Sequence, residues 1–86
     1  MTSPAARRKR FIDAAKAAYG PRWQAALSHA TRLSPALLSM IKSEERDVSP
    51  EAEAALVKAL ESERKRLQTA ALKVSALIER IKADLA

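Results

Sequence analysis

The sequence predicts an all-α fold, a small domain of four to five helices that ends in a long C-terminal helix. Three observations predict it. No segment alternates apolar and polar residues with period two, so no strand is expected. All four prolines stand where a helix can begin, because proline suits the first helical turn and is costly further in. From Pro50 to Ala86 neither glycine nor proline is present to end a helix.

The predicted helices span roughly 4–19, 21–30, 34–43 and 50 onward. Ser-Pro pairs begin the first, third and fourth, since a serine hydroxyl caps free backbone N–H groups and proline fits the first turn. Gly20 is expected to close the first helix in a left-handed conformation, and Pro21 is expected to open the second. The mostly polar segment 44–48 is expected to form a loop.

Size and composition allow one small core. The chain has 86 residues, 48% of them apolar, but many of these are alanine. Such a thin core favours stabilisation by self-association. Trp23 is expected to pack in that core, beside the apolar face of the first helix. The residues of that face are Phe11, Ala14, Ala15, Ala18 and Tyr19.

Several functional classes find no support in the composition. Without cysteine, neither a disulfide framework nor a thiolate metal site can form. His29 is the single histidine, and the chain has no cysteine nucleophile for which it could act as a general base. The one glycine cannot make a glycine-rich phosphate-binding loop. We therefore expect no enzyme, no cofactor and no metal. No run reaches the length of a signal peptide core or a membrane span, so a cytoplasmic protein without a membrane partner is expected.

Positive charge is concentrated in the first half of the chain. Residues 1–46 hold nine Lys or Arg against three acids, a net charge of +6, whereas residues 47–86 hold seven of each. A solvated basic surface would explain such an imbalance, but concentrated charge also suits a polyanionic partner.

Residues 24–41, QAALSHATRLSPALLSMI, have the spacing of two short helices that cross at a steep angle. The apolar fourth, tenth, fifteenth and eighteenth positions are Leu27, Leu33, Leu38 and Ile41. The fifth is Ser28, small enough for the two backbones to approach closely. This pattern resembles the helix-turn-helix of the lambda repressor and Cro family, whose first position is often Gln. The ninth position departs, because the family usually has Gly there and this chain has Arg32. The backbone must take a costly positive φ at Arg32, or the turn must change shape.

The resemblance implies a DNA-binding domain, over residues 1–61, whose second motif helix lies in the major groove of double-stranded DNA. By position, the side chains that face the groove are Ser34, Pro35, Ala36, Ser39, Met40 and Ser43. None is Arg, Asn or Gln, the residues that read guanine or adenine by paired hydrogen bonds. Any sequence preference is therefore expected to depend also on DNA shape, dimer spacing or a basic arm.

Contacts to phosphates are expected from residues around the motif. Gln24 begins its helix, where free N–H groups can meet a phosphate. Cations at turns and helix ends are Arg22, Arg32, Lys42 and Arg46. The basic run RRKR adds Arg7, Arg8 and Arg10, which lie on the first helix or, if the chain frays there, form an arm for the minor groove.

The segment 62–86 is expected to mediate dimerisation. Its apolar residues step by four and three alternately, as in a coiled coil. They are Leu67, Ala71, Val74, Ile78, Ile81 and Leu85. Either one helix runs from 50 to the end, or a bend near 62–66 separates two helices; the stripe could also fold back on its own domain.

The sequence thus predicts a dimeric, sequence-preferring DNA-binding regulator such as a repressor, associated with the nucleoid. Two alternatives remain open. One is an architectural DNA binder with almost no sequence preference. The other is an antitoxin or adaptor protein whose C-terminal helix docks in the groove of a protein partner.

Overall fold

The computed structural model describes residues 2–86, which form helices and their connections without a strand. Three shorter helices, α1 (Pro4–Tyr19), α2 (Trp23–Ala30) and α3 (Pro35–Lys42), precede a long C-terminal helix, α4 (Pro50–Leu85). The expected all-α chain with a long last helix is confirmed. None of the helices in this range has the length and apolar composition needed to cross a bilayer.

The three Ser-Pro pairs begin helices, as the sequence predicts. The hydroxyls of Ser3, Ser34 and Ser49 each accept a hydrogen bond of 3.1 Å from the backbone N–H three residues further on. Each bond pairs one of the donors that a helix start leaves free. The third helix is one residue shorter at each end than expected, because Ser34 and Ser43 are its caps.

The start of the second helix was predicted too early. Gly20 does end α1 with a positive φ of 75°, and its N–H donates to the carbonyl of Lys16. Pro21, however, lies in a short 3-10 turn, Gly20–Arg22, and α2 begins only at Trp23. The Trp23 N–H donates to the Gly20 carbonyl, an i to i+3 bond that tightens the chain before the α-helix begins.

Replacing Gly20 with alanine is expected to lower the free energy of unfolding by about 1–3 kcal/mol. Its φ of 75° and ψ of −155° lie in a region that is essentially restricted to glycine. An added Cβ would meet no atom within 4 Å, so the cost comes from the backbone and not from a clash. Urea denaturation measures the change, with Ser62→Ala on the exposed part of α4 as a near-neutral control. Equal stability of Gly20→Ala and the parent would contradict this account.

One apolar core joins the four helices. In α1, Phe11 and Ala15 are one turn apart and face the same side. Trp23 is 2% exposed, which confirms that it is a core residue. The buried apolar residues are Phe11, Ala15, Trp23, Leu27, Leu38, Ile41, Val48, Ala52, Leu56 and Ala59. The core therefore ends at Ala59, well before the end of α4.

The second half of α4 extends away from this core. At 1.5 Å per residue its 36 residues span about 54 Å, and the molecule measures 58 × 27 × 18 Å. The helix continues without interruption through residues 62–66, so the alternative of two separate helices is wrong. From Leu67 onward nearly every residue is exposed, and the apolar stripe does not fold back on its own domain.

Candidate nucleic-acid interface

The outer face of α3 carries the residues predicted to face a groove. Leu38 and Ile41 are fully buried and fix the opposite face of this helix against the core. Five of the six groove-facing candidates are exposed and Met40 is half-buried. The exposed ones are Ser34, Pro35, Ala36, Ser39 and Ser43. Their small side chains make this face narrow, so a ligand could approach the helix backbone closely.

The start of α2 lies beside the outer face of α3. The Ser39 hydroxyl donates to Gln24 Oε1 at 3.5 Å, across the contact between the two helices. This bond is long and contributes little energy, but it shows that the two side chains are neighbours. The structure therefore brings together Gln24 and the centre of the α3 face, two parts that the sequence assigned to one surface.

The connection between α2 and α3 is built around Thr31, not around a left-handed residue. Arg32 has no positive φ, since Glu44 is the one non-glycine residue with a positive φ among residues 2–86. Thr31 is extended, with φ −129° and ψ −173°. Its hydroxyl donates to the Leu27 carbonyl at 2.7 Å and accepts from the Leu33 N–H at 3.1 Å. The turn has changed shape, and a threonine that sequence reasoning passed over supports it.

Thr31→Val is expected to lower the free energy of unfolding by about 1–2 kcal/mol, because the Leu33 N–H loses its partner in a part-buried turn. Valine keeps the shape and the β-branch, so the change isolates the hydroxyl. Denaturant unfolding measures the loss, and Thr69→Val at an exposed position of α4 is the matched control. A loss of equal size in both variants would show that the turn does not depend on these two hydrogen bonds.

Cations without ion-pair partners lie on and around α2 and α3. The thirty residues 14–43 contain no Asp or Glu. The four cations predicted to contact phosphates are exposed, and within residues 2–86 none of them forms an ion pair. They are Arg22, Arg32, Lys42 and Arg46. Their charges remain available to an anionic partner.

The basic run at the start of α1 has carboxylate partners within the protein. Arg10 Nη2 lies 2.8 Å from Glu53 Oε2, and Arg7 Nε lies 3.2 Å from Glu53 Oε1 without the alignment of a hydrogen bond. Arg8 lies 3.4 Å from Glu44 and 3.8 Å from Asp47. The run is helical and not a frayed arm. Arg7, Arg8 and Arg10 therefore join α1 to α4 and to the loop before it.

A cleft of about 900 Å³ separates the end of α2 from α4, and Arg32, His29 and Lys58 line it. Tyr19 and Glu63 line it as well. Burial, together with the Glu63 carboxylate, raises the pKa of the Tyr19 hydroxyl. A hydrogen bond from Arg66 Nε, at 3.0 Å, lowers the pKa of Glu63. Both shifts move these groups away from neutral pH, so neither supplies a proton donor or acceptor that titrates there.

The apolar stripe of α4 is uncovered. Leu67, Val74, Ile78 and Ile81 are between 45% and 59% exposed, although each is large and apolar. The remaining predicted seam residues, Ala71 and Leu85, are exposed as well. At its N-terminal end the stripe borders a groove of about 560 Å³. Alanines of α1 line this groove on one side, and Leu60 and Leu67 of α4 line it on the other. Contiguous apolar surface of this kind marks a contact surface.

The candidate site thus consists of the α3 face with its flanking cations and, separately, the stripe of α4. Comparisons of the chain with protein-family models, with curated proteins and with solved structures find no match.

Proposed function

We propose that this protein binds double-stranded DNA through a helix-turn-helix formed by α2 and α3, with α3 in the major groove, and that it regulates transcription as a nucleoid-associated dimer. One observation carries the proposal. The exposed α3 face lies in a stretch of thirty residues without a carboxylate, residues 14–43. Its cations Arg22, Arg32 and Lys42, and Arg46 just after it, are exposed and form no ion pair within the described residues. A phosphate backbone is the partner whose charge and shape suit such a helix.

Positioning on DNA comes from the residues around α3. Gln24 and the N-terminal N–H groups of α2 meet one phosphate, while Arg22, Lys42 and Arg46 meet others. Arg7, Arg8 and Arg10 are not needed for this, because their charges already face Glu53, Glu44 and Asp47. The basic surface that contacts DNA is therefore smaller than the net charge of the chain indicates.

Reading of bases by this α3 is weak. Serine hydroxyls bond to several bases, and Ala36 or Met40 can touch a thymine methyl group, but each of these contacts discriminates poorly. A sequence-preferring repressor then needs two copies and the shape of DNA to select its site. The same small side chains favour the second candidate, an architectural binder with almost no preference.

Fluorescence anisotropy with a labelled duplex across a salt series tests the proposal. Contacts of Arg22, Lys42 and Arg46 with phosphates predict that log K falls with log salt with a slope of about −3 per copy. Binding that is insensitive to salt, or no binding at low salt, contradicts the proposal. Comparing a duplex selected from a random pool with an unselected one then separates the two candidates, since the architectural binder shows equal affinity for both.

A protein-interaction module of the antitoxin or adaptor type is favoured by one separate observation, the uncovered stripe of α4. In that case the chain alone is monomeric and residues 67–85 are covered only in a complex with another protein. Sedimentation of the chain alone distinguishes this role from a homodimer.

A further inference from the structure

The apolar stripe of α4 is a continuation of the face that packs on the domain. Steps of eleven residues return to nearly the same side of an α-helix, because they complete about three turns. Leu56, Leu67 and Ile78 are related by such steps. Leu56 is 5% exposed against the core, whereas Leu67 and Ile78 are 48% and 45% exposed. One side of α4 therefore packs on α1 and α2 along its first half and is uncovered along its second half.

From this we infer that a second copy of this chain covers residues 67–85, and that the two α4 helices run antiparallel. A parallel, in-register pair would join the helices along the side that already packs on α1 and α2 at residues 52–60. The two domains would then stand at the same level, between the helices, and exclude one another. Antiparallel pairing places the two domains at opposite ends of the paired segments, where they do not meet.

Charge favours the same orientation. The first part of the exposed segment, residues 64–73, has a net charge of +4 and no acid; its cations are Arg64, Lys65, Arg66 and Lys73. The last part, residues 76–86, has two acids, Glu79 and Asp84, and two cations, so its net charge is zero. Parallel helices would bring two +4 segments together. Antiparallel helices place each +4 segment beside the neutral segment that carries both carboxylates, which lowers the repulsion.

The spacing of the stripe defines a register. Its steps of 4, 3, 4, 3 and 4 residues read the same in both directions. Antiparallel alignment can therefore place every seam residue opposite another seam residue, with Leu67 opposite Leu85 and Val74 opposite Ile78 of the second copy. Ala71 then faces Ile81 of the second copy, and the small residue leaves space for the large one.

Engineered cysteines test the orientation cleanly, because the chain has no cysteine of its own. The variants are Leu67→Cys and Leu85→Cys, one at each end of the seam, each made alone in the full chain. A disulfide needs Cα atoms within about 7 Å. In the antiparallel pair two copies of Cys at position 67 are about 27 Å apart, so neither variant links to itself, whereas an oxidised mixture of both variants gives a covalent dimer.

Three results would overturn the inference. The first is a covalent dimer of either variant alone, which shows parallel helices. The second is a mixture that gives no covalent dimer although sedimentation equilibrium finds twice the 9.4 kDa mass of the chain. The third is a parent chain that sediments as a monomer at high concentration, which leaves the stripe to another protein. No DNA is present in these experiments, so their outcome is independent of the proposed DNA binding.

Discussion

Ser39→Glu is expected to weaken binding to duplex DNA roughly 100-fold at physiological salt, the combined effect of repulsion from phosphates and loss of close approach. Ser39 is exposed at the centre of the α3 face, beside Gln24, so the new carboxylate would point at the groove. The Ser39 side chain forms one hydrogen bond among the described residues, the long bond to Gln24, and glutamate is a good helix former, so the fold should be retained. Fluorescence anisotropy at several salt concentrations measures the loss.

Thr69→Glu is the matched control for that experiment. It adds the same charge at another exposed helical position, but far along α4 and away from α3. Its effect on affinity should stay within a few-fold, since only the net charge of the chain changes. Equal weakening by the two variants would mean that the affinity for DNA depends on the net charge of the protein alone and that α3 is not the surface that contacts DNA.

Ile78→Asp is expected to convert the protein into a monomer and to weaken binding to a duplex with two half-sites by roughly 100-fold, because binding of the second domain is no longer linked to the first. A carboxylate in the centre of an apolar seam must lose its water without gaining a partner. Ile78 is exposed on the part of α4 that extends away from the core, so the domain itself should unfold as in the parent. Sedimentation equilibrium gives the mass, and anisotropy gives the affinity.

Ala76→Asp provides the comparison for the seam. Position 76 is two residues away from Ile78 and therefore about 200° around the helix, on the exposed opposite side. The same aspartate there has a similar cost for the helix but should leave the dimer intact. A dimeric Ile78→Asp, or a monomeric Ala76→Asp, would refute the assignment of this face. Ile81→Asp should behave like Ile78→Asp.

Local chemistry allowed most of the helices to be predicted. A Ser-Pro pair combines a capping acceptor with a residue that has no N–H to satisfy, and all three pairs begin helices. Pro21 follows Gly20 and not a capping residue, and there the prediction was wrong. The chain makes a 3-10 turn first, and α2 begins where Trp23 enters the core. The start of α2 therefore depends on the packing of Trp23 in the core and not on Pro21 alone.

The geometry of the candidate site could be predicted only where its residues are close in sequence. The exposed side of α3 follows from helical spacing, since buried Leu38 and Ile41 define the other side. The partners of Arg10 and Arg7 could not be found in this way, because Glu53 is 43 residues from Arg10 in the chain. Thr31 escaped notice because the expected turn had glycine, and the hydrogen bonds of a threonine hydroxyl depend on the turn that actually forms.

The continuity of α4 has a consequence for the DNA that this protein would select. In each copy, the segment of α4 that packs on the domain is centred on residue 56. In the antiparallel pair these two centres are separated by a distance of about 40 residues along the helix axis, or about 60 Å. Equivalent major grooves on one side of B-DNA recur about every 34–36 Å, so this separation is closer to two turns than to one. The expected target is a palindrome whose half-sites are centred about 20 base pairs apart. Lengthening or shortening α4 would then change the length of the operator and leave the chemistry of each half-site as it is.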